Sequence, residues 1–170
     1  HFLVDIEETG ESTLFIFGDT ITSLTIGDEI GLFDLAGIVD GDGNTGEILV
    51  GAGTWAGEQT TITAISSVDL SDFGGPILPG SVSGNTMSLK VWKSSEEMEY
   101  TASATWSSGT GIFGDLILAI SELELQTGFD VAINEFFFRS ASGSSVPDYV
   151  ELVNFGDEDV DLTGWTLDDE

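Results

Sequence analysis

Apolar residues in this chain fall into short blocks, such as Leu14-Phe15-Ile16-Phe17 and Ile48-Leu49-Val50, separated by Gly, Asp, Asn and Ser. Blocks of about five to eight residues rich in β-branched and aromatic side chains predict strands rather than helices. The abundance of Gly (22) over Pro (3) fits the same all-β punctuation. Strands are predicted over residues 13–17, 21–26, 29–33, 48–52, 60–65, 86–92, 99–105 and 116–125. In the last of these, Leu116, Ile117, Ala119, Ile120 and Leu123 also fit a helical period, while the alternation from Ser121 to Leu125 predicts a strand at its end. This many short strands predict a β-sandwich, jelly-roll or immunoglobulin-like.

Residues 69–80, Asp-Leu-Ser-Asp-Phe-Gly-Gly-Pro-Ile-Leu-Pro-Gly, are too long a linker for a hairpin turn and carry apolar residues of their own, which predicts an ordered crossover loop. A composition shift at Gln126-Thr127-Gly128 places a domain boundary between an acidic β-sandwich module, residues 1–127, and a second unit, residues 128–170. Strands are expected there at 131–138, 149–154 and 162–167. Roughly forty residues and three strands bury too little to be stable alone, so the second unit is expected either to be truncated or to be completed by something else.

Two resemblances attach to these segments. Ile133-Asn134-Glu135-Phe136, Asp148-Tyr149-Val150-Glu151-Leu152-Val153-Asn154 and Val160-Asp161-Leu162-Thr163-Gly164-Trp165 resemble the opening half of a lamin-tail domain. The resemblance implies an immunoglobulin-like fold of which residues 131–170 supply the first strands, a buried Trp165, and a place in secreted multi-domain proteins. In the first unit, Leu24-Thr25-Ile26-Gly27-Asp28-Glu29-Ile30-Gly31-Leu32-Phe33-Asp34, then residues 46–53 and Lys90-Val91-Trp92, are similar to a module repeated in large secreted proteins of marine and Bacteroidetes-type bacteria. That similarity implies an extracellular location.

Charge narrows the partners. Thirty-one Asp and Glu against three Lys and Arg give a net charge of −28, yet 41% of the chain is hydrophobic, so the acids form a shell around a buried core. Such a shell repels nucleic acid phosphates and anionic lipid, attracts cations, and suits a high-salt medium in which carboxylates are screened. No apolar run approaches the about 20 residues of a membrane-spanning helix. The chain begins at His1 with no signal-like segment ahead of it, so any secretion signal is expected to have been removed or to lie outside this sequence.

The absence of cysteine excludes a thiol nucleophile, a disulfide framework and a thiolate metal site. A single histidine, His1, cannot supply a transition-metal site and makes a Ser-His-Asp arrangement a poor reading. With so many carboxylates, pairs at glycosidase spacing arise by chance and discriminate nothing.

Calcium, which takes hard oxygen ligands, fits the composition better. Asp40, Asp42 and Asn44 alternate in Val39-Asp40-Gly41-Asp42-Gly43-Asn44-Thr45-Gly46-Glu47, with Glu47 as a further candidate ligand. The EF-hand spacing then fails, with Thr45 at the sixth position and Gly51 at the twelfth. The alternative is a solvated hairpin tip in which Asp and Asn tolerate turn conformations. A second acidic group is Glu135, Asp148 and Glu151 with Asp168 or Asp169, whose ordinary roles would be solvent-facing residues and caps.

Among the tryptophans, alternation puts Trp92 on the outer face with Ser88 and Lys90, and Trp106 toward the core; Trp55 can face either way. Lys90 and Lys93 flank Trp92, as ion-pair partners of Glu96, Glu97 or Glu99 or as a patch that docks on an acidic neighbouring copy. The expected function is a non-enzymatic, calcium-stabilised module of a secreted or cell-surface protein, acting in adhesion or assembly with copies of itself or other surface proteins. The edge at 131–138 would pair with a neighbouring subunit by β-strand addition to give a filament. The rival is a carbohydrate-binding or polysaccharide-degrading accessory module with a groove lined by Trp92 or Trp55.

Overall fold

The computed structural model describes residues 1–126, 131–137, 149–154, 160 and 162–166. The chain divides into two units, His1–Thr127 and Gly128–Glu170. The first contains β1 (Ser12–Phe17), β2 (Glu29–Ile38), β3 (Thr45–Thr54), β4 (Thr60–Ile65), β5 (Val68–Asp69), β6 (Ile77–Leu78), β7 (Met87–Lys93), β8 (Met98–Ser108) and β9 (Ile117–Gln126). The fold is all-β, as the short apolar blocks require.

Seven strands form one mixed sheet in the order β3-β2-β7-β8-β9-β1-β4, antiparallel throughout except for the parallel pair β1–β9. Its two edge strands approach each other, so the sheet curls almost shut into a barrel-like sandwich. Glycines permit that approach: a Cβ on Gly51 would lie 2.6 Å from the Thr63 carbonyl oxygen, and one on Gly53 would lie 2.9 Å from Ile62 Cγ1. Alternate side chains point into the closed interior. β1 contributes Phe15 and Phe17, β4 Ile62 and Ala64, β7 Met87, Leu89 and Val91, and β9 Leu118 and Ile120, all buried.

Residues 21–26 are not a strand. Ile21 and Leu24 lie three apart in an irregular segment and both plug the core, while Ile26 is 72% exposed. A turn from Thr25 to Asp28, in which the Thr25 N–H also donates to the Asp28 carboxylate at 2.8 Å, ends the segment. The stretch 116–125 is strand from Ile117 onward. Its helix-like spacing comes from one extra residue, Ser121, where the β8–β9 register shifts, so that Leu123 faces the same core as Ile120. The loop predicted over 69–80 is ordered by a β5–β6 pair and a single 3-10 turn, Ser71–Phe73, that ends at Gly74 with φ 74°.

Two aspartates on or beside β2 are buried, and each is surrounded by donors. Asp34 accepts from the N–H of Ala36 (2.9 Å) and of Val82 (2.9 Å), and from the Asn85 amide at 2.9 and 3.0 Å. Asp28 accepts from Thr25 and Ser94 N–H groups and lies 3.3 Å from Lys93 Nζ. A buried carboxylate without such partners is strongly unfavourable.

In the second unit β10 (Val131–Phe137) and β11 (Tyr149–Asn154) pair antiparallel. The register shifts between Ile133 and Glu135, leaving Asn134 as an extra residue. That shift sets Ile133 opposite Leu152 and Phe136 opposite Val150, so these four apolar residues share one face. Residues 162–166 form a turn rather than a strand, with the Trp165 N–H donating to Leu162 O and Gly164 at φ 85°. Trp165, which the lamin-tail resemblance places inside, is 48% exposed.

Replacing Asp34 by Ala removes the shared acceptor of three part-buried donors, at about 1–3 kcal/mol for each left unpaired, while the Asn85 amide keeps Ala36 O. Chemical denaturation should show Asp34→Ala destabilised by roughly 3 kcal/mol or more. A loss below about 0.5 kcal/mol, the range of ordinary surface substitutions, would contradict the role assigned to this carboxylate.

Candidate functional site

The Asp40 loop joins β2 to β3 and closes on itself. The Val39 N–H donates to Asn44 O at 2.9 Å and the Gly43 N–H to Asp40 O at 3.2 Å. One oxygen of the Asp40 carboxylate accepts from the N–H groups of Asp42 (3.0 Å) and Asn44 (3.1 Å), and the other from Asn44 Nδ2 at 2.8 Å. This is the side-chain-capped turn that an Asp at this position forms readily. The Asn44 side-chain amide, aided by the backbone N–H groups, holds the Asp40 carboxyl below its ordinary value of 3.8. Glu47 points elsewhere and accepts from Lys90 Nζ at 2.8 Å. Asp40, Asn44 and Glu47 therefore do not converge as arranged, and no group of three or more acidic or histidine side chains does so among the described residues.

A second constellation covers the outer face of β2, β7 and β8. Trp92 is the register partner of both Glu29 and Glu99, and Lys90 that of Gly31 and Thr101. The His1 imidazole stacks on Trp92 with centroids 3.9 Å apart and planes 3° from parallel, and its Nε2 lies 3.0 Å from Glu99. Glu29 accepts from the His1 amino group at 2.6 and 2.7 Å and from the Phe2 N–H at 2.8 Å, and these contacts hold its carboxyl below the ordinary range. Lys90 sits 4.5 Å above the Phe33 ring between Glu47 and Glu99, 3.5 Å from the latter. The hydrogen bond to Glu47 raises its ammonium above the usual value.

Lys93, the other lysine of the sequence-derived patch, turns inward to Asp28 and donates to Ser23 O at 3.1 Å. Both lysines are thus engaged within the chain. Trp92 faces outward, as alternation requires, but one ring face is taken by His1. Trp55 is 3% exposed. Trp106 packs edge-on to Phe15 at 6.4 Å.

No protein-family model, no curated protein and no solved structure matches the chain.

In the second unit Glu135 and Glu151 are register partners. Glu151 accepts from Asn134 Nδ2 at 2.8 Å, and a hydrogen bond to Glu135 raises the Tyr149 hydroxyl above its usual range. Asp148, Asp168 and Asp169 lie outside the described residues.

The sequence pattern left out Glu29, Phe33 and His1. The first two sit on β2 at positions of the parity that faces outward beside Lys90 and Trp92, a signal available only once the β2–β7 pairing is known. A hollow of about 360 Å³ lies at the β3–β4 seam, floored by Val50 and Ala52 and rimmed by Glu8 and Glu11.

Because the Asp40 carboxyl is held below its ordinary value, the stability of the loop depends on pH. Its stabilising contribution is complete above the ordinary carboxyl value of 3.8 and is lost as pH falls through the lower folded value. The stability gap between wild type and Asp40→Ala should therefore shrink as pH is taken from about 6 to about 2, measured by urea unfolding at each pH. A gap that is constant or widens on acidification would show that the carboxylate form does not hold this turn.

Proposed function

We propose that this chain is a non-enzymatic module of a secreted or cell-surface protein, acting in adhesion or extracellular assembly, whose second unit takes up a strand from a neighbouring copy. The observation that carries the reading is the apolar face of β10–β11. Ile133, Phe136, Val150 and Leu152 lie on one side of a two-stranded ribbon and are between 40% and 61% exposed. Among the described residues β10 and β11 pair only with each other, a two-stranded ribbon by itself is marginal in water, and a bulge that gathers four apolar residues on one face suits a face that packs against further strands. A strand from a neighbouring copy would add backbone pairing along the ribbon and bury these side chains further. The likeness of both units to secreted modules supports an extracellular setting, and repetition of the exchange from copy to copy would build a filament.

Sedimentation velocity of the whole chain tests this reading. Association that grows with protein concentration is expected, stronger at about 1 M salt than at about 0.05 M because carboxylate repulsion is screened. The double variant Phe136→Asp, Leu152→Asp should remain monomeric while the first unit keeps its circular dichroism. A monomer at every concentration and salt, or association unaffected by the double variant, would overturn strand exchange at this face.

Calcium belongs to the same proposal as a stabilising ion at the Asp40 loop, where it would have to displace the Asn44 amide from Asp40 and draw Glu47 away from Lys90. On that proposal, about 5 mM calcium raises the thermal midpoint over chelator, and Asp40→Ala removes the rise. An equal midpoint in calcium and chelator would remove calcium from the reading.

A further inference from the structure

The first unit has a groove of about 340 Å³ where β7 and β8 separate. Their pairing runs from Lys93–Met98 to Leu89–Ala102 and stops. Beyond that point β7 turns to the segment after β8 instead, with the Met87 N–H donating to Gly111 O at 2.8 Å and Thr86 bridging Ile112. The gap is floored by Met87, Leu89, Ala102, Ala104 and Trp106. Its rim carries the hydroxyls of Thr86, Ser88, Thr101, Ser103 and Thr110.

None of the twelve lining residues is ionisable, in a chain of which 20% is charged. Thr101 donates to Gln126 O at 3.3 Å. The hydroxyls of Thr86, Ser88, Ser103 and Thr110 have no hydrogen bond among the described residues. The volume falls in the range of about 300–1,000 Å³ common to small-ligand sites, which pair an apolar floor with a few polar groups at the rim.

We propose that this groove binds a neutral saccharide. A sugar ring has the matching chemistry, since its hydroxyls both donate and accept toward Ser and Thr while its C–H face packs on apolar and aromatic surface. A wholly apolar ligand would cover the rim hydroxyls and leave them unpaired. An anion would enter against the field of a net charge of −28, and a cation would find no carboxylate in the groove. The site differs from one built on Trp92 or Trp55, and it uses the first unit alone, so it stands or falls independently of strand exchange in the second.

The test is an amide-resolved NMR titration of the whole chain with cellohexaose, laminarihexaose and mannohexaose, and with hexameric alginate as the anionic counterpart. At least one neutral oligomer should shift the signals of Ser88, Ser103 and the Trp106 indole while leaving Trp92 unmoved, and alginate should shift none. Ser103→Tyr and Thr110→Tyr, which put rings into the groove from two walls, should each weaken binding by about tenfold or more, equivalent to about 1.4 kcal/mol. If a tyrosine variant loses its native signal dispersion, Ser103→Ala carries the test, with an expected loss of about fivefold for one hydrogen bond. The proposal fails if no neutral oligomer moves these signals at about 10 mM, a concentration that would reveal even millimolar affinity. It also fails if alginate binds equally well, or if the groove variants leave binding unchanged.

Discussion

Buried carboxylates pin both ends of the β2–β7 pairing, and the register of the sheet around it depends on them. Asp28 draws together the turn at Thr25, the Ser94 N–H and Lys93, while Asp34 gathers Val82 and Asn85. These donors lie at opposite ends of β7, the strand that pairs with β2 from Glu29–Trp92 to Asp34–Met87. A slip of β2 along β7 would pull both acids from their donors and leave two uncompensated charges in the interior, which a slipped hydrophobic pairing could not offset. The apolar neighbours Ile30 and Leu32 supply burial, and the flanking aspartates restrict that burial to one alignment.

Within the segment Gly27-Asp28-Glu29-Ile30-Gly31-Leu32-Phe33-Asp34 the two glycines, like the two aspartates, have physical tasks. Gly27 takes φ 96°. Gly31 leaves room for aromatic rings, since a Cβ there would lie 2.8 Å from Phe33 and 3.1 Å from Phe2. Strands with unbroken alternation, such as Thr60–Ile65 and Met87–Lys93, were readable from pattern because each residue's facing follows from its parity. Where a bulge intervenes, parity fails. Ile120 and Leu123 share a face across Ser121, and Ile133 and Phe136 share one across Asn134, so both pairs carry a spacing of three that periodicity alone assigns to a helix. Ile21 and Leu24 have that same spacing with no strand at all. One spacing therefore has several physical sources, and only the partner strand distinguishes them.

The candidate site divides the same way. The alternation of Asp40, Asp42 and Asn44 marks a tight loop in any reading, but which way the carboxylate points depends on competition with nearby N–H groups, and here the loop's own amides take it. The scarcity of cations singles out Lys90 and Lys93, yet their partners Glu47 and Asp28 come from other strands or turns and are invisible in local sequence. The outward facing of Trp92 follows from alternation. Its cover does not, because His1 is distant in the chain and reaches it only through the folded sheet.

Charge then constrains how such a molecule can associate. Of the three Lys and Arg in the chain, the two that are described are committed to internal carboxylates, and the His1 ring lies against Glu99. The lysines therefore offer little free positive charge to a second copy carrying the same net −28. Electrostatic pairing is a poor basis for self-assembly in such a chain, and at low salt the long-range field opposes it. Backbone pairing along a strand edge and burial of an apolar ribbon face are both short-ranged, and neither requires opposite charges. At the about 3 Å screening length of 1 M salt, repulsion between acidic surfaces fades over less than one strand spacing, while edge hydrogen bonds and apolar contacts keep their strength.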